Sequence, residues 1–247
     1  MLRLASLVFC LLFFISSNSQ SEIYELRVYE LKFSKSADIL HDYFRKALIP
    51  ALNRQGIEHI GAFEELGDAL PKKLYLLITY TDLATYENVT DELENDEVFD
   101  KEAQTYWTTT PENIPFSRVE SAFIRSTDGF PNLVKPTGNP GVYELRIYEG
   151  YNEDAVKRKV KMFNDSEFTI FEEVGLNLVF FGANISGDQM PCLTYIVAFK
   201  DLEDRDSTWS KFGPHPEWKR ISKLEEYANT VSSISRVFLK PLSYSQL

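Results

Sequence analysis

Cysteine is scarce in this sequence: Cys10 and Cys192 are the two in 247 residues. A disulfide framework or a thiolate metal cluster cannot be built once a leader carrying Cys10 is removed. Cys192 lies in an apolar, strand-like run, where a buried inert thiol is expected rather than a nucleophile. Histidine is nearly as rare, with His41, His59 and His215, and no two stand at a metal-ligand spacing. Positive charge is also short: 26 Lys and Arg against 37 Asp and Glu leave a net −11. A surface of that sign repels phosphate backbones, so no nucleic-acid partner is expected. No phosphate loop, zinc spacing or nucleophile elbow occurs. Neither a metal nor a cofactor is expected.

A hydrophobic run long enough to cross a bilayer is missing too. The apolar stretch Leu4 to Ile15 is too short for a comfortable span. With Arg3 before it and small polar residues, Ser16 to Ser21, after it, residues 1–21 read as a secretory signal peptide. The expected product is exported, periplasmic or extracellular, with no stable membrane span. Three sequons, at Asn88, Asn164 and Asn184, matter only in a host that glycosylates.

What the sequence does contain is a repeat. Tyr24-Glu25-Leu26-Arg27-Val28-Tyr29-Glu30 returns as Tyr143-Glu144-Leu145-Arg146-Ile147-Tyr148-Glu149. A period this long means a duplicated domain, not a solenoid. Residues 23–30 alternate as a strand does. Helical spacing then runs through Leu40, Tyr43, Phe44, Ala47, Leu48, Ala51 and Leu52, with Ser34 or Ser36 as N-cap. Pro50 predicts a kink or an early end to that helix, and Gly56 closes it in a left-handed position. Strands are predicted at 57–65, 74–80 and 116–124, with a helix capped by Asp82 before the last.

The order is β-α-β-β-α-β, the ferredoxin-like unit. Gly and Pro crowd residues 128–141, which mark a linker between domains at 22–127 and 142–247. In the second copy Gly175 answers Gly56 and Asp201 answers Asp82. A helix is expected over 154–174, a helix start at Pro216, and a last strand at 236–239.

Tyr-Glu-Leu-Arg-x-Tyr opening each unit, a Gly before strand two, and His215-Pro216-Glu217-Trp218 near the second helix together resemble the NIPSNAP family over about residues 22–243. The first half departs at Asp96-Glu97-Val98-Phe99, which lacks both Pro and Trp. The resemblance implies an α+β fold: two tandem ferredoxin-like units packed sheet-to-sheet as an intrachain version of the dimeric α+β barrel. It also implies relatives that include monooxygenases, isomerases and haem proteins alongside proteins without known chemistry.

In that fold one face of each sheet is covered by helices. Tyr24, Leu26, Val28 and Tyr143, Leu145, Ile147 suit the helix-covered face by their apolar character. Glu25, Arg27, Tyr29 and Glu144, Arg146, Tyr148 would then point into the barrel. They can serve as structural ion pairs, since residues two apart on a strand lie about 7 Å apart on one face. They can also form a ligand pocket, with Arg as anion clamp, Tyr over a ring and Glu as base. The two roles are compatible. His59 joins the barrel-interior candidates because it shares a face of the second strand with Ile57 and Phe63. An ordinary polar contact is its expected role and an axial haem ligand the alternative.

The functional expectation is an exported protein that binds a small organic molecule in the barrel, or a protein partner. The alternative is a cofactor-independent monooxygenase or isomerase acting there on an aromatic or enolisable substrate. Because the halves satisfy each other, a monomer is expected.

Overall fold

The computed structural model describes residues 21–247. The signal peptide expected at residues 1–21, apart from Ser21, lies outside the described residues, and Cys10 with it. Eight strands close into one barrel: β1 (Ile23–Leu31), β2 (Gly61–Glu65), β3 (Lys73–Tyr80), β4 (Phe116–Ser126), β5 (Val142–Glu149), β6 (Asn177–Asn184), β7 (Cys192–Phe199) and β8 (Ser233–Pro241). Around the barrel they run β1-β3-β2-β8-β5-β7-β6-β4. Each half supplies a four-stranded antiparallel sheet with its first strand flanked by its third and fourth, the ferredoxin-like order. Two antiparallel seams join the halves. β2 meets β8 through Phe63–Pro241, Glu64–Lys240 and Glu65–Leu239. β4 meets β6 through Ile124–Asn184, Arg125–Ala183 and Ser126–Gly182.

Helices cover the outside of the barrel. In the first half these are α1, spanning 38–54, α2 (Leu83–Glu94) and α3 (Glu97–Trp107). The second half carries α4, spanning 153–174, α5 (Leu202–Phe212) and α6 (Pro216–Ile221). Asp82 and Asp201 cap α2 and α5, accepting from the backbone N–H of Thr85 and Asp204. Gly56 and Gly175 are left-handed, with φ of 81° and 84°. The N-cap of α1 is Ala37 rather than a serine, although the Ser36 hydroxyl accepts from the Asp38 N–H.

Pro50 neither ends nor breaks α1, which runs on to Arg54. A wide π-helical turn, Tyr43–Leu48, precedes it. The same turn recurs at Phe163–Glu167 in α4, where Thr169 stands in the place of Pro50. The wide turn therefore belongs to the repeat and not to the proline. β2 begins at Gly61, later than the alternation implies, because the chain bends at His59, which has a φ of 60°.

The two faces of each sheet are the reverse of the expectation. Tyr24, Leu26, Tyr143 and Leu145 point into the barrel, where they pack with Phe63, Tyr75, Leu77, Ile124, Phe180 and Ile196. Glu25, Arg27, Tyr29, Glu144, Arg146 and Tyr148 lie on the outer face, under the helices. Tyr29, for example, packs on Phe44 of α1 with ring centroids 5.0 Å apart. Both faces are buried, so apolarity alone does not say which one meets helices. The barrel interior is lined by strand side chains and plugged at one end by Leu133 of the linker and Leu247. The helix-covered side offers long polar groups that can reach a buried charge, as a buried charge requires.

Three hydroxyls on the inward face of the barrel, those of Thr79, Ser126 and Tyr143, are buried without a partner. Burial pushes the Tyr143 phenol up to about 12. Its counterpart Tyr24 donates to Glu22 at 3.0 Å. Tyr143→Phe removes an unsatisfied buried group, so it is expected to stabilise the protein by about 1 kcal/mol. Tyr24→Phe, which loses a bond, is expected to destabilise it. Thermal melts of the two variants check the opposite signs.

Candidate functional site

The repeated strand motif forms the predicted ion pairs in both halves. Arg27 donates to both oxygens of Glu25, at 2.5 and 2.8 Å. The Ser121 and Tyr80 hydroxyls complete that carboxylate at 2.8 and 3.2 Å. In the second half Arg146 donates to Glu144 at 2.8 Å. There α5 also contributes: Arg205 donates twice, at 2.8 and 3.1 Å, and the Trp209 indole once, at 2.8 Å. Glu144 is fully buried, and four donated hydrogen bonds saturate it. It is an anchor and has no capacity left to act as a base.

Among the described residues the barrel interior is filled by side chains. It is packed by the rings of Tyr24, Phe63, Tyr75, Tyr143 and Phe180, and a cavity of about 110 Å3 remains at one mouth, near Val28, Ser121, Asp188 and Cys192. Burial pushes the Cys192 thiol up to about 12, in keeping with an inert group. The candidate residues face instead two clefts between sheet and helices, one per half. The first, about 350 Å3, is lined by Arg27, Tyr43, Leu48, Tyr86, Phe99 and Trp107 among others. The second, about 320 Å3, places Arg146 and Tyr148 beside Lys159, Glu167, Tyr195 and two tryptophans, Trp209 and Trp218.

Glu25, Tyr29 and Glu144 sit behind these clefts, as partner, packing ring and anchor. His59 belongs to neither cleft and not to the barrel. It is exposed, in a separate surface depression with Glu58 and Lys135. A larger depression of about 470 Å3 lies between the linker and α4, but no buried charged side chain lines it.

The second cleft concentrates the chemistry. The Arg146 guanidinium carbon lies 4.5 Å from the Trp209 ring centroid and 5.4 Å from that of Tyr148. Arg146 is 9% exposed, and its Nε has no hydrogen-bond partner. The Tyr195 hydroxyl donates to that of Tyr148 at 2.8 Å. Burial raises both phenols, that of Tyr195 well above the ordinary value, so both remain protonated donors near neutral pH.

Facing them from α4 is a buried ion pair, Lys159 with Glu167, 5% and 3% exposed. Burial raises the Glu167 carboxyl, against the opposing pull of Lys159 and Arg146. The wide turn makes this pair possible. In a regular α-helix residues eight apart diverge by about 80°. One extra residue in the turn reduces that to the offset of a heptad, about 20°.

Sequence reasoning passed over this pair. The repeat held the signal: Lys159 and Glu167 fall on the inward face of α4, at the places that Leu40 and Leu48 occupy in α1. A charge replacing a core leucine in one copy of a duplicated domain marks a residue that packing alone does not require.

Among the described residues no group of three or more His, Cys, Asp and Glu side chains is placed to hold a metal ion. No helix among them is long and apolar enough to cross a membrane.

Comparison with known proteins gives a family and a fold. The NIPSNAP family profile matches twice, at residues 24–117 and 143–246. No curated protein sequence matches. Among solved structures, a protein from Fusobacterium nucleatum provisionally named a monooxygenase is 16% identical. It has a TM-score of 0.60, with 90% of this chain and 93% of that one covered. A second, from Lactobacillus acidophilus and named likewise, is 12% identical, with a TM-score of 0.57 and coverage of 90% and 94%. A NIPSNAP family protein of unknown function from Agrobacterium tumefaciens is 23% identical, with a TM-score of 0.38. It covers 46% of this chain and 99% of its own.

Proposed function

The chain belongs to the NIPSNAP family, with one domain in each half, and from that premise we propose that it is an exported binding protein for a small, flat organic anion held in the second cleft. The observation that carries this reading is the Arg146 Nε, buried and without a partner at the wall of an aromatic cavity. A carboxylate or enolate oxygen in the cleft would pair with this guanidinium in a charge-assisted hydrogen bond once the side chain turns that donor toward it. The faces of Tyr148, Tyr195, Trp209 and Trp218 suit a flat ring, and about 320 Å3 suits a small molecule. The leader supports export, and closure of both seams within one chain supports a monomer.

The test uses the two cleft tryptophans. In a Trp107→Phe background, the fluorescence left is that of Trp209 and Trp218. Titration with aryl carboxylates, phenols and keto acids is expected to give saturable quenching. At a hundred times the dissociation constant a ligand adds about 2.7 kcal/mol, a rise in melting temperature of roughly 5–10 °C. Arg146→Met is expected to abolish both signals. Quenching that survives Arg146→Met, or silence across the panel, counts against the site.

A second reading is catalytic: a cofactor-independent monooxygenase or isomerase. The full-length likeness to the two proteins provisionally named monooxygenases supports the first form. The buried charges of α4 support the second.

A further inference from the structure

We propose that the second cleft performs proton transfer at carbon, with Glu167 as the base toward the carbon beside the carbonyl of an aromatic keto acid whose carboxylate rests on Arg146. The inference rests on the binding reading above and names its substrate class and its chemistry.

Three observations converge. First, the motif carboxylate is disqualified, because Glu144 is saturated by Arg146, Arg205 and Trp209. Second, Glu167 lines the same cavity as Arg146, and the Lys159 ammonium is its partner. Third, the duplication supplies an internal control. Leu40 and Leu48 fill the corresponding places in α1, both buried, so the fold packs this helix without charge. A buried ion pair that replaces two leucines is not explained by stability, since apolar residues of similar size hold such places equally well or better. Placed at a cavity wall, it is explained by chemistry. The cost of burying the carboxylate also makes it a stronger base than a solvated one.

The step is balanced without any co-reactant. The C–H bond breaks, and its electron pair becomes the carbon–carbon double bond of the enolate. The carbonyl pair moves onto oxygen, and the proton rests on Glu167. Negative charge thereby passes from Glu167 to the enolate oxygen, and Lys159, relieved of its carboxylate partner, is free to stabilise it. Return of the proton to oxygen gives the enol, and its return to carbon gives back the keto acid. Nothing is oxidised or reduced. The first cleft has leucine at both α1 positions, and the Nε of its Arg27 is already bonded to Glu25, so no proton transfer is expected there.

The probe is phenylpyruvate in D2O, with the full mature chain. Exchange of its methylene protons is followed by NMR, and binding by cleft-tryptophan fluorescence in parallel. Wild-type protein is expected to accelerate exchange about 100-fold or more over buffer, the scale of general-base catalysis. Glu167→Gln is expected to lose that acceleration. Because this change strands Lys159, the double variant K159L/E167L is made as well, installing the residues of α1. It is expected to remain folded and to exchange at the buffer rate. Wild-type binding without accelerated exchange overturns the proton-transfer proposal and leaves the binding site standing. Acceleration retained in K159L/E167L overturns it also. Absence of phenylpyruvate binding overturns the keto-acid proposal, while the binding reading falls only if the rest of the ligand panel is silent as well.

Discussion

Glu144→Ala is expected to cost about 3–5 kcal/mol, the range seen when one partner of a buried ion pair is removed. For a chain of this size that lowers the melting temperature by on the order of 10 °C. The carboxylate is fully buried and ties β5 to α5 through Arg146, Arg205 and Trp209. Without it two guanidiniums converge on an apolar hole and an indole N–H loses its acceptor. Glu25→Ala tests the argument from the other half. Its partner Arg27 has a side chain 22% exposed, against 10% for Arg146. Arg27 can therefore turn toward water, and the loss is expected to be smaller. Urea denaturation midpoints of the two variants check the order. Equal losses would mean that exposure of the arginine does not govern the penalty.

Gly182→Val is the other large effect, and it acts on backbone. Gly182 sits in the β4–β6 seam, opposite Ser126. A Cβ there would stand 2.3 Å from the carbonyl oxygen of Arg125 and 2.6 Å from the Ile124 Cγ2. The carbonyl belongs to the facing strand and cannot turn aside as a side chain could. The expected loss is about 3 kcal/mol, the upper end for overpacking, and it falls on a junction that rests on three residue pairs. Separation of the seam uncovers the edges of β4 and β6, which then recruit other strands. The variant is expected to melt earlier and to elute as dimers or larger species on sizing. A variant that melts like wild type and elutes as one monomeric peak would contradict the seam argument.

Much of this architecture was legible in the sequence. The strand-one repeat, the breakers Gly56 and Gly175 and the caps Asp82 and Asp201 report local backbone geometry, which sequence encodes directly. The pairing of Glu25 with Arg27 and of Glu144 with Arg146 was legible for the same reason, since residues two apart on a strand share a face. Which face meets the helices was not. Alternation separates Tyr24 from Glu25 but is silent on what lies opposite each, and here both sides are buried. The charges go where Arg205 and Trp209 can reach them, and the reach of a side chain from α5 is a tertiary fact. His59 leaves the strand face that alternation gives it because it is itself the left-handed residue, and β2 begins only at Gly61. The Lys159–Glu167 pair needed the wide turn of α4, which no residue in it announces: Pro50 stands beside that turn in one half and Thr169 in the other.

The two seams have a consequence for how such a protein changes over time. In a barrel made from two identical chains about a two-fold axis, every substitution appears twice. A charge introduced into one helix would enter its mate as well, and both sites would bear its cost. Here the second sheet is covalently the later part of the same chain, so a change in α4 leaves α1 untouched. One half can keep leucines and supply rigidity while the other hosts a buried lysine and glutamate. Fusion thus releases the barrel from its own symmetry, and a division of labour between its halves becomes available to mutation one residue at a time.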